Sequence, residues 1–165
     1  MSLGAHWFTQ LEETRKIAAS LPAPLETPGR LLALDLGAKR IGVAVSDELR
    51  ITTRPLPVIS RRNWKYLLQQ VAGLVRSFEA KGLVIGLPLR LDGGEGSAAE
   101  GVRALAEKFQ RSLSVPIYLQ DERLTTFAAN SDLKAAGLNE SESKRELDSE
   151  AAAIILRDFI DRMQS

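Results

Sequence analysis

Short apolar runs of strand length alternate with longer segments whose apolar residues recur at helical spacing. "RLLALDL" from Arg30 and "RIGVAVSD" from Arg40 are two strand-like runs joined by "GAKR", as in a hairpin. "ITTRPLPVI" is a third extended run, and Pro55 and Pro57 suit it to a sheet edge, where a missing N–H costs no ladder bond. Trp64, Leu67, Leu68, Val71, Leu74, Val75 and Phe78 then recur at three and four, predicting a helix that Gly82 ends. "LVIGLP" reads as a strand buried on both faces.

After the loop "LRLDGGEG", Ser97 and Glu100 have the spacing of a capping box and predict the start of the helix "AAEGVRALAEKFQRSL". "VPIYLQ" is a further buried strand. "DERLTTFAANSDLKAAG" reads as loop into helix stopping at Gly137, "NESESKRE" as a polar surface loop, and "LDSEAAAIILRDFIDRM" as a final apolar helix. The order ββ-β-α-β-α-β-α-α predicts an α/β fold: a mixed five-stranded sheet, three antiparallel meander strands plus two parallel ones, with helices on both faces.

Residues 1–29 differ in character. Thr9 and Glu12 fit a capping box and predict a short helix in "TQLEETRKIAAS". The following "LPAPLETPG" is proline-rich and reads as an extended linker. The domain reading is therefore an N-terminal extension over 1–29 and one domain over 30–165.

Composition narrows the chemistry. The 165 residues are 44% apolar and 26% charged, which is globular composition. Lys+Arg number 22 against 21 Asp+Glu, so any nucleic-acid contact has to come from a local basic patch. There is no cysteine, and the single histidine is His6 near the N-terminus. Thiolate chemistry, a histidine triad and a histidine metal cluster are thereby excluded. His6 and the tryptophans read as packing or surface residues. No apolar run is long enough to span a bilayer, and the N-terminus lacks the pattern of a secretory signal, so the expectation is a cytoplasmic protein with no membrane partner.

Chemistry is left to carboxylates. In a sheet of this kind ligands gather beyond the carboxyl ends of the parallel strands. Asp35 ends the first strand, Asp121 and Glu122 follow the last, and Asp148 opens the final helix, so acids far apart in sequence can converge there. Converging carboxylates repel unless a cation sits among them, and hard oxygen ligands suit Mg²⁺ or Mn²⁺. Each acid also has a plainer reading. Asp35 before "LG" suits a turn, Asp148 suits a helix N-cap, and Glu122 suits an ion pair with Arg123. "LDGGEG" is either a flexible turn or a loop that grips substrate.

The motifs "LALDLGAKRIGVAVSD", "VIGLPLRLDG", "YLQDERLTT" and "LDSEAAAIIL" occur in an order and at spacings that resemble the YqgF family over about residues 30–160. That resemblance implies an RNase H-like fold related to RuvC-type Holliday junction resolvases. It also implies a metal-dependent nuclease maturing the 5′ end of precursor 16S rRNA, with Asp35, Glu122 and Asp148 as catalytic residues and metal ligands. Lys39, Arg40, Arg90 and Arg123 are then plausible contacts to substrate phosphates, and Gly94 with its preceding glycine lets backbone approach the strand. Gly37 and Gly42 read as permitting the hairpin that leaves Asp35 at the strand end. The expected partners are RNA (precursor 16S rRNA) or branched DNA, together with the ribosome-assembly machinery, and the chain is expected as a monomer or homodimer.

Three features depart from the family's pattern. Arg90 stands where asparagine is usual, the basic run before Asp148 is reduced to Lys144 and Arg145 followed by Glu146, and residues 1–29 lie outside the motif set. The other readings are a branched-DNA resolvase, a catalytically weak RNA-binding or assembly module, and an actin-like ATPase or sugar kinase. The last needs two such domains, and this length supplies one.

Overall fold

The computed structural model describes residues 28–90, 92, 94–122 and 142–165, with side chains in the final segment described from residue 145. The helix and linker expected within residues 1–27, and the loop and helix expected over 123–137, lie outside the described residues.

Strands β1 (Leu31–Leu36), β2 (Arg40–Ser46) and β3 (Thr53–Ser60) form the meander. Helix α1 (Trp64–Ser77), strand β4 (Gly82–Leu87), helix α2 (Ser97–Ser112), strand β5 (Ile117–Asp121) and helix α3 (Glu142–Gln164) follow. The sheet order is β3-β2-β1-β4-β5. β1–β2 and β2–β3 are antiparallel, and β1–β4 and β4–β5 are parallel. This is the mixed sheet expected, and the proline-bearing β3 is at an edge.

Side-chain alternation divides the core between the two faces. Leu32, Leu34, Val43 and Ile85 point to the face covered by α1 and α2, which contribute Leu67, Val71, Val102 and Phe109. Leu31, Ala33, Ala44, Val84 and Tyr118 point to the other face, where Ala152, Ile155, Leu156 and Phe159 of α3 cover them. Small residues on both sides of this second layer let α3 lie close to the strands.

Three local expectations are corrected. α1 ends at Ser77, not at Gly82: the Ala80 N–H donates to the Val75 carbonyl at 2.9 Å and Glu79 N–H to Arg76 at 3.2 Å. This is a Schellman motif, with Glu79 at φ 50° in the position glycine usually takes. Gly82 is instead a core residue of β4, because a Cβ there would stand 2.9 Å from the Tyr118 ring and 3.0 Å from Leu31.

Gly96, not Ser97, is the N-cap of α2, and no side chain caps it; Ser97 is already helical, so its hydroxyl is out of position for the box. The expected surface loop before Asp148 is helical from Glu142 onward. Lysine, arginine and glutamate are good helix formers, so this polar run extends the helix rather than interrupting it. Asp148 consequently lies inside α3 and is not its N-cap.

Candidate active site

β1 and β5 run parallel in the sheet, so their carboxyl ends lie on the same side of the molecule. Asp35 is the penultimate residue of β1, and Glu122 directly follows β5. Asp35 lies on the α3 face, in alternation with Leu31 and Ala33.

Two glycines flank Asp35 and explain how three acids meet. Across the antiparallel ladder Asp35 pairs with Gly42. A side chain at Gly42 would run into the carbonyl oxygen of Asp148, so the absence of one lets α3 settle onto β2 at that point. On the parallel side Leu34 pairs with Ile85, which puts Gly86 next in register beside Asp35. The Glu122 carboxylate lies over Gly86, and a Cβ there would also meet Ile155 at 2.8 Å. Each glycine leaves the space that one of the other two acids occupies. Gly42 therefore serves close approach of α3 and not the hairpin turn expected of it. A glycine facing the aspartate across a predicted hairpin is the sequence signal that points to this.

A ladder irregularity ties α3 to the sheet. The β2–β3 register shifts between Ile41 and Val43, and the Val43 N–H donates to the Ser149 Oγ at 3.3 Å. Ser149 is 2% exposed, so its hydroxyl pins the residue after Asp148 to the sheet. Arg40 Nε donates to Asp148 Oδ2 at 2.8 Å.

Electrostatics mark the pair as unusual. Burial pushes the Asp35 carboxyl up to about 6; the Asp148 charge adds to this and a hydrogen bond with Glu122 opposes it. Glu122 is pushed up to about 7 by burial, then by the Asp35 charge and hydrogen bond, and last by Asp121. The two carboxyls are in hydrogen-bond contact, which places a proton between them when no cation is bound. Among the described residues no three acids close around a cation as they stand, and Asp148 is paired with Arg40. The donor set still suits a hard divalent cation: two half-buried carboxylates already share one positive charge, a proton, and a third carboxylate is held beside them.

The basic residues divide. Arg40 is bound to Asp148, and Lys39 is exposed on the turn beside it. Arg90 is exposed and lies 3.5 Å from Asp92 in the loop after β4. Arg123, the side chain of Lys144 and the first glycine of the "GG" pair lie outside the described residues.

The family model described as "RuvX: Holliday junction resolvase" matches residues 29–162. The chain belongs to this family. A relative from Anaeromyxobacter sp. (strain Fw109-5), named "Putative pre-16S rRNA nuclease", is 44% identical over 132 residues, 80% of this chain and 96% of its own. A relative of the same name from Rickettsia akari (strain Hartford) is 37% identical over 135 residues, 82% of this chain and 88% of its own.

Among solved structures, Thermus thermophilus RuvC in complex with a Holliday junction substrate superposes with a TM-score of 0.51 at 16% identity, covering 83% of this chain and 97% of that one. Fowlpox virus resolvase in complex with Holliday junction DNA gives 0.50 at 10% identity, with 82% and 99% covered. These likenesses establish the RNase H-like resolvase fold, and the RuvX match bears out the resemblance drawn from the motifs.

Proposed function

We propose that this chain is a divalent-metal-dependent nuclease that hydrolyses phosphodiester bonds in precursor 16S rRNA, at its 5′ end, and works in the cytoplasm. The observation that carries the reading is the Asp35–Glu122 carboxylate pair, half-buried at the strand ends with both groups pushed toward neutral pH and Asp148 beside them. The names of the curated relatives point to the RNA substrate.

Asp35, Glu122 and Asp148 are the residues that would hold Mg²⁺ or Mn²⁺. When bound, such an ion lowers the pKa of water and stabilises charge on phosphoryl oxygens. The chain's own residues do the rest. Burial of Asp35 and Glu122 keeps bulk water from competing for the carboxylates. Arg40 holds Asp148 in place and brings positive charge to the site, where a phosphate approaching three carboxylates needs it. Lys39, Arg90 and Arg123 are assigned to more distant phosphates. Phosphate contacts position a strand without reading its sequence, so selection of the cut site falls to the shape of the RNA.

The test is cleavage of precursor 16S rRNA and of a four-way DNA junction with Mg²⁺, comparing the parent with Asp35→Asn. The reading expects cleavage of the RNA and a loss of about a thousandfold or more in the variant. The family description and the fold neighbours favour branched DNA as the second reading, and junction cleavage with intact precursor rRNA would select it. Equal cleavage by parent and variant would end the carboxylate model.

A further inference from the structure

The net charge of +1 conceals a strong asymmetry. Residues 49–78 contain six arginines and lysines and no aspartate or glutamate. Three of these cations, Arg61, Arg62 and Lys65, fall where β3 ends and α1 begins, which is the same end of the sheet as Asp35. The Arg61 N–H donates to the Lys39 carbonyl at 2.9 Å and its Nη1 to the Gly37 carbonyl at 2.7 Å. The Gly37 N–H in turn donates to the Asp35 carbonyl at 3.1 Å. The loop after β3 is thus clamped to the β1–β2 turn, which brings its cations and Lys39 to the end of the sheet where Asp35 lies.

The cations of the chain are used in different ways. Arg30, Arg40, Arg90, Arg103 and Arg111 each pair with an acid. Among the described residues Lys39, Arg61, Arg62 and Lys65 have no such pair, and all but Arg61's two backbone bonds leave their donors to solvent. The Arg62 guanidinium lies over the Tyr66 ring, 4.7 Å from its centroid. The ring backs the guanidinium, and Arg62 is otherwise exposed. The Asn63 side chain, accepting from the Tyr66 N–H at 2.9 Å, fixes the turn that sets the stack in place.

We propose that Lys39, Arg61, Arg62 and Lys65 form a track that receives a single-stranded RNA segment leaving the cleavage site, with a base stacked on the Arg62 plane. The proposal rests on the nuclease reading for the nature of the ligand. Unpaired cations at the same sheet end as an acidic centre supply the local charge that the balanced composition otherwise lacks. A flat guanidinium backed by an aromatic ring suits an unpaired base, whose faces a duplex would keep buried.

The test measures binding in EDTA, without cleavage, of a short unstructured oligoribonucleotide to the full chain. Arg62→Ala/Lys65→Ala is expected to weaken binding about tenfold and to reduce the slope of log K against log salt by about 1.4, from two lost single-strand phosphate contacts. Arg62→Lys is expected to keep the slope and lose about threefold in affinity, because charge remains and the plane is gone. Arg76→Ala, at the far end of α1, is the charge control and should bind like the parent, with thermal melts confirming that all variants fold.

Parent-like binding by the double variant, an equal loss in Arg76→Ala, or no RNA binding by the parent at low salt would overturn the track. Parent-like binding by Arg62→Lys, or an equal loss on a duplex, would overturn the stacked single strand. A parent that binds through these residues yet never cuts RNA would sink the nuclease reading and leave the track standing. Cutting that is indifferent to the double variant would sink the track alone.

Discussion

Asp35, in the first strand of the sheet, and Glu122, directly after the last, share a hydrogen bond between their carboxyl groups. Two carboxylates make this contact only when a proton or a cation lies between them. The pair costs the fold stability once both groups ionise, and that cost makes it testable in the free protein.

The first expectation concerns pH. Both carboxyls titrate higher when folded, Asp35 at about 6 against 3.8 and Glu122 at about 7 against 4.5. Their contribution to stability is complete below about pH 4 and is lost as pH rises through 6 to 7. Asp35→Asn removes one charge and lowers the cost of ionising the other. The variant should therefore gain stability relative to the parent between pH 4 and pH 7 and hold that gain above it. Paired thermal melts across this range are the measurement, and a constant difference would contradict the shared proton.

A divalent cation should reverse that order. At pH 8, Mg²⁺ or Mn²⁺ in excess of its Kd should raise the Tm of the parent, by about 2.7 kcal/mol of stabilisation at a hundredfold excess. Asp35→Asn and Glu122→Gln should respond little. Calorimetric titration with Mn²⁺ gives the affinities directly. Equal stabilisation of parent and both variants would place the ion elsewhere.

Gly42→Ala should be among the most damaging single-methyl changes in the chain. The new Cβ meets the Asp148 carbonyl, which belongs to the backbone of α3 and has to move away as a unit. A loss of more than about 2 kcal/mol is expected, with nuclease activity falling further because Asp148 leaves the acid pair. Gly73→Ala, in α1 with open space around it, should instead stabilise by about 0.5–1 kcal/mol. Denaturant midpoints for the two variants decide the point.

Arg40→Ala tests the second tie on Asp148. The pair is about a third exposed on each side, so the change in stability should stay under about 1 kcal/mol. Activity should fall about tenfold or more, because the arginine both orients the acid and offsets the charge that substrate phosphate meets. Arg40→Lys should recover part of it. An activity loss no larger than the stability change explains would leave Arg40 as a surface pair.

The strand-rich meander, the edge position of β3 and the burial of β4 were legible because periodicity and proline placement are local properties. The ends of α1 and α2 were not. A Schellman turn with glutamate in the left-handed position leaves no glycine to read, and a serine one residue inside a helix has the same spacing as a cap. Within the site, the acids and their order along the chain were visible, but what brings them together was not. Gly42 could be picked out only as the residue facing Asp35 across the hairpin, Gly86 carries no such mark, and the meaning of both depends on which residue lies above them.

The sequence by itself determined the family and the mixed sheet and singled out three candidate carboxylates, since each is written in contiguous motifs and short-range alternation. Only the tertiary structure decided that Asp35 lies between two glycines, that Asp148 sits within a helix and is held by Arg40 and by its neighbour Ser149, and that Arg61, Arg62 and Lys65 come to the sheet end where Asp35 lies. The reason is physical. Strand pairing and helix docking join residues from distant parts of the chain, and the protonation of a carboxylate depends on what that joining puts beside it.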